Sequence, residues 1–159
     1  MTIQEFALKP FKSSGETLNF DVTGKASRHG EWLTLTYEVL GELGQVAIPQ
    51  SASPARQDHL WQTTCFECFL KPVGQAQYWE FNLSPSYGWN VYQFRDYRQG
   101  QTLADVSTLS FEVLSMPTVL QTVWRFDLSR LNLQTSTLMV AIATVIQIKG
   151  GPLTYWAIT

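Results

Sequence analysis

Charge is scarce in this sequence. Only 15% of its 159 residues are Asp, Glu, Lys or Arg, the formal net charge is −2, and Lys and Arg never form a run. The basic footprint that draws a protein to phosphate backbones is missing, which excludes nucleic acid as a partner. No apolar stretch approaches the roughly 20 residues needed to span a bilayer, and no basic segment followed by an apolar one opens the chain. The expectation is a soluble, cytoplasmic protein with no membrane partner.

Cysteine and histidine are almost as rare, with two of each. Cys65 and Cys68 form a C-x-x-C spacing. In a strand, residues three apart point to opposite faces, so the pair can neither join in a disulfide nor share a metal. His29 and His59 have no ligand-type residue at zinc-site spacing. The sequence also lacks a Gly-x-Ser-x-Gly elbow, a phosphate-cradling glycine loop and a His-Glu-x-x-His pair. Neither a cofactor nor a metal is expected, and the protein is read as not an enzyme. The remaining hydrolytic option pairs Glu67 with Glu80, but the sequence shows nothing that would raise either pKa as a general acid requires.

Aromatic residues, by contrast, are plentiful at 13%, with six Trp. Apolar and polar residues alternate in short bursts, and no segment keeps a helical period beyond two turns. Strands are predicted at 17–23, 31–40, 45–48, 63–70, 77–83, 90–95, 108–114, 122–128, 138–148 and 153–158. Turn residues separate them, 51–59 reads as a surface loop, and 129–135 can form a short helical turn capped by Asp127 or Ser129. The chain is expected to be one all-β domain over 1–159, an antiparallel β-sandwich.

Sorting the central strands by face gives a candidate site. Trp79, Phe81 and Leu83 form a core set, and Glu80, Asn82 and Ser84 lie opposite. Phe66, Cys68 and Leu70 likewise face the core, which places Glu67 beside Glu80 and Asn82. In the next strand Tyr92 and Phe94 are assigned inward, and Val91, Gln93 and Arg95, preceded by Trp89, outward. One face then carries Glu67, Glu80, Asn82, Gln93 and Arg95 between Trp61 and Trp89. Carboxylates and amides among indoles suit a polyhydroxylated ligand, whose hydroxyls hydrogen-bond and whose C–H faces stack. The plain alternative is a solvated sheet face with cross-strand pairs of about 0.2–1 kcal/mol each.

The segments Leu60-Trp61-Gln62-Thr63-Thr64-Cys65-Phe66-Glu67-Cys68-Phe69-Leu70, Tyr78-Trp79-Glu80-Phe81-Asn82-Leu83-Ser84-Pro85-Ser86, Trp89-Asn90-Val91-Tyr92-Gln93-Phe94 and Tyr97-Arg98 carry a resemblance. With a closing hairpin over 143–156, the sequence resembles the DOMON-like, family 9 carbohydrate-binding-module-like proteins. That resemblance implies a jelly-roll β-sandwich that binds sugar or haem on a sheet face. It carries a stacking role to Trp61 and Trp89 and a hydrogen-bonding role to Glu67, Glu80, Asn82 and Arg98. The expected partner is a saccharide. Two alternatives stand beside it. One is a haem carrier with Met116 or Met139 as thioether donor, although Met139 reads as core and no Met and His pair matches. The other is an interaction module without a small ligand, for which a homodimer is an option.

Overall fold

The computed structural model describes residues 1–11 and 18–158. Twelve strands follow in chain order: β1 (Thr2–Pro10), β2 (Phe20–His29), β3 (Trp32–Gly41), β4 (Ala55–Arg56), β5 (Cys65–Pro72), β6 (Tyr78–Leu83), β7 (Gly88–Phe94), β8 (Thr102–Leu103), β9 (Phe111–Met116), β10 (Val119–Asp127), β11 (Leu138–Gln147) and β12 (Leu153–Ala157). The all-β expectation holds. The predicted strand at 45–48 is replaced by a 3₁₀ turn, Leu43–Gln45, and a single bridge from Val46 to Ile148. Thr17, the first residue of the predicted strand at 17–23, lies outside the described residues. At 128–131 a 3₁₀ turn is capped by Asp127, whose carboxylate accepts hydrogen bonds from the backbone N–H and the hydroxyl of Ser129.

β1 is absent from the sequence prediction because most of its side chains are exposed and show no clear alternation. Its architectural role is large. It pairs with β2 from Thr2 to Leu8, then turns Lys9 and Pro10 against Ala157 and Trp156 of β12. Through that joint one sheet runs β4-β7-β6-β5-β11-β12-β1-β2-β3-β10-β9, with β8 appended to β7. Every pairing is antiparallel except β4 with β7, so the sheet is mixed, not purely antiparallel. It is one curled sheet, closer to half a barrel than to two separate layers.

The curl brings its two halves face to face, and aromatic side chains fill the space between them. Phe81 of β6 meets Trp124 and Phe126 of β10 at centroid distances of 4.7 and 5.1 Å. Tyr37 of β3 meets Phe66 of β5 at 5.0 Å, and Phe20 of β2 meets Trp156 of β12 at 5.4 Å. These inward side chains are almost completely buried. Their burial is the main force holding the curl closed, at about 25 cal/mol per Å² of apolar surface removed from water.

Near the joint, Gly24 of β2 lies opposite Phe6 of β1. A Cβ at this position would run into the Thr36 carbonyl oxygen and the Phe6 ring. The ring covers the bare backbone and packs edge-on to Tyr37 at 6.0 Å. Gly24→Ala is expected to destabilise the protein by about 2 kcal/mol through overpacking. Urea unfolding measures this, and a change under half that size would mean that Phe6 moves aside freely.

Candidate functional site

The outer face of the β7-β6-β5-β11-β12 half carries the site, and pairing register fixes its rows. Glu67 of β5 stands opposite Asn82 of β6 and Ala143 of β11. One row along, Glu80 of β6 lies between Phe69 of β5 and Tyr92 of β7. Glu67, Glu80 and Asn82 thus share one face, as the alternation in β5 and β6 predicts. Phe66, Cys68 and Leu70 point the other way, into the core. Cys65 and Cys68 fall on opposite sides of β5, and both are free and buried.

β7 corrects the sequence reading. Phe81 pairs with Val91 and Leu83 with Trp89, so Trp89 and Val91 point into the core while Asn90, Tyr92 and Phe94 join the face bearing Glu80. Trp89 is only 4% exposed. It is therefore not at the margin of the face where the sequence reading places it. Gln93 falls on the Trp89 side as well, lining a different depression with Trp79 and Leu133. Arg95 packs over Gly100 instead of reaching Glu80. The reason is register: one residue more or less in the β6–β7 connection inverts every side chain of the second strand.

Two adjoining hollows open on this face. The first, about 470 Å³, is lined by Glu67, Glu80, Trp61, Tyr92, Phe94, Gln101 and Tyr155, with Ala143 and Ala157 forming a low floor. The second, about 570 Å³, shares Glu80 and Phe94 and adds Phe69, Tyr78, Lys71, Arg98 and Met139. Together they form one long cleft. Trp61 is 36% exposed and lies edge-on to Tyr92 at 6.3 Å. Tyr78 and Phe94 stack in parallel at 4.7 Å beside the shared wall. Arg98 belongs to the second hollow, its guanidinium 5.2 Å from the Tyr97 ring and its backbone N–H donating to the Tyr78 hydroxyl. Met139 is 59% exposed on this face, not a core residue as the sequence reading has it.

The surface loop expected over 51–59 packs against β7 beside the cleft. Within it, Arg56 donates to the Asn90 side-chain oxygen at 2.8 Å and to the carbonyls of Val106, Val91 and Ala104 at 2.9, 2.7 and 3.0 Å. Its guanidinium also lies 5.2 Å from the Trp89 ring centre. Asp58 accepts from the Tyr92 hydroxyl at 2.7 Å and from the Asn90 amide at 3.1 Å. His59 then takes a left-handed backbone, φ 62°, before the 3₁₀ turn Leu60–Gln62 that presents Trp61. Arg56, Asp58 and Asn90 are site-forming residues that the sequence reading missed. The only signal was an Arg and an Asp in a short loop, and that pattern is common in solvated loops too.

Burial sets the electrostatics of this face. It pushes the Glu67 carboxyl up to about 7, with the nearby Glu80 charge adding to the effect. Burial raises Glu80 as well, and the Asn82 amide beside it partly offsets the shift without closing a hydrogen bond of good geometry. Tyr92 is also raised, first by burial and then by its bond to Asp58. Below the face, the buried Tyr37 hydroxyl donates to the Glu67 carbonyl at 2.8 Å and pins that point of β5. Among the described residues, no group of three His, Cys, Asp or Glu side chains could hold a metal ion. Among the same residues, no helix is long and apolar enough to cross a membrane.

No protein-family model matches the sequence, and no curated protein matches it. A solved structure from Bacteroides uniformis ATCC 8492, described as a "putative carbohydrate-binding protein", superposes with a TM-score of 0.69 at 12% sequence identity. The match covers 99% of this chain and 78% of that one. At this identity the likeness shows a shared fold and nothing more specific.

Proposed function

We propose that this protein is a non-catalytic binder of a small polyhydroxylated ligand, a saccharide, held in the cleft on the outer face of β5, β6, β7, β11 and β12. The observation that carries the reading is the pair Glu67 and Glu80, set in the floor of a long cleft with aromatic walls. Carboxylates accept hydrogen bonds from sugar hydroxyls, and Trp61 offers an indole for the C–H face of a pyranose. Concave, largely apolar walls with a few convergent polar groups are the usual build of a small-ligand site. The resemblance to DOMON-like and family 9 carbohydrate-binding-module-like proteins supports the same reading, as does the description of the structural neighbour as carbohydrate-binding.

Isothermal titration of a panel of mono- and oligosaccharides against the wild type and Trp61→Ala tests the proposal. Trp61→Ala is expected to weaken binding about tenfold, the loss of a stacking contact worth roughly 1.5 kcal/mol. Silence from every sugar with the wild-type protein would remove the saccharide assignment. Equal affinity of both proteins would move the ligand away from Trp61.

A further inference from the structure

We infer, resting on the cleft as the ligand site, that the ligand bears a positively charged nitrogen and belongs to the amino-sugar class. In the hollow under Trp61, the only charged side chains among the described residues are Glu67 and Glu80. Neither makes an ion pair; the single salt bridge among the described residues joins Lys25 to Glu5 on the other half of the sheet. Two carboxyl groups thus sit among apolar and aromatic side chains with no ion-pair partner among the described residues. Their interaction appears in the upward displacement of Glu67, to which both burial and Glu80 contribute.

Three features decide what would balance them. The walls are aromatic, with Trp61, Tyr92, Phe94 and Tyr155 around the carboxyls. Ring faces attract an organic cation, and such rings arranged around an ammonium are a recurrent way of recognising amines. Among the described residues, no third His, Cys, Asp or Glu side chain joins the two carboxyls to form a metal site. Asn82 supplies an independent observation: it is wholly buried on this same face, directly opposite Glu67, and neither its amide nitrogen nor its oxygen has a partner among the described residues. Buried amides are ordinarily hydrogen-bonded, so Asn82 leaves an unsatisfied polar group beside Glu67. An ammonium donates to the two carboxylates. The second hollow, which shares Glu80 and is lined also by Lys71, Asp96 and Arg98, leaves room for a further sugar unit.

The test is isothermal titration with three short oligosaccharides of equal length, made from glucosamine, N-acetylglucosamine and glucose. Each is titrated into the wild type and into the double variant Glu67→Gln, Glu80→Gln at near-neutral pH. The glutamine pair keeps the shape and removes buried charge, and thermal unfolding confirms that it folds. The glucosamine oligomer is expected to bind the wild type at least tenfold more tightly than the other two, an advantage that disappears in the double variant. Equal binding of the neutral sugars would overturn the amine inference and leave the saccharide cleft standing. An amine preference that survives in the double variant would also overturn it, because the carboxyl pair would then not be what recognises the charge. Absence of binding by all three would remove the amine inference and the saccharide reading together.

Discussion

Replacing Arg56 with methionine is expected to cost roughly 3 kcal/mol of stability, because the side chain's four hydrogen bonds are charge-assisted and one of the groups it serves has no substitute. The Val91 and Ala104 carbonyls keep second partners in the Ala104 and Val106 N–H groups. The Val106 carbonyl loses the donor that Arg56 supplies, and the Asn90 oxygen loses its guanidinium contact. For a domain of this size the melting temperature should fall by about 6–12 °C. Arg56→Lys should recover only part of the loss, since one ammonium cannot reach acceptors that a planar fork spans. Denaturant unfolding with an unchanged m value is the measurement, and a loss below about 1 kcal/mol would show that the loop is not held by this clamp. The variant should also blunt ligand binding, because the loop that Arg56 holds is the one that presents Trp61.

The second large effect concerns pH. Folding raises the Glu67 carboxyl from 4.5 to about 7. Between those two values the folded protein holds a proton that the unfolded chain releases, so the stability tied to Glu67 is full below about pH 4.5 and falls as pH rises toward 7. The size of the fall is about 3 kcal/mol for this group alone. Glu80 is shifted in the same direction and steepens the slope. The free protein should therefore unfold at lower denaturant concentration at pH 8 than at pH 5. Glu67→Gln should remove most of that difference and be the more stable protein at pH 8. A wild type equally stable at both values, or a glutamine variant with the wild-type slope, would show that Glu67 is not enclosed as described.

The legible part of the site was β5 and β6. In Phe66-Glu67-Cys68 and Trp79-Glu80-Phe81-Asn82, a carboxylate or amide alternates with large apolar residues, and one face is unambiguously core. β7 offered no such contrast. Trp89, Val91 and Gln93 on one side and Asn90, Tyr92 and Phe94 on the other each mix apolar with polar residues, because both sides of this strand are covered. The core lies over one, and the loop carrying Arg56 and Asp58 lies over the end of the other. Asn90 tolerates that burial by bonding to Arg56, Asp58 and the Gln57 carbonyl. Partners so distant in sequence leave no local trace, which is why an ordered clamp looked like a plain surface loop. Trp89 was misplaced for the same reason, and Trp61 alone of the two indoles reaches the cleft. β1 escaped notice because it is held by hydrogen bonds along its edges, with few buried side chains to mark it.

The joint between β1 and β12 also has a consequence in time. Lys9 and Pro10 wait for partners that lie almost a full chain length away, at Trp156 and Ala157. During synthesis from the N-terminus, this end of β1 stays unpaired until β12 has been made. An open strand edge invites pairing with other chains, and lysine and proline are two residues that discourage it. Both stand at the open end of β1, so the segment that waits longest for its neighbour carries its own protection against the wrong one.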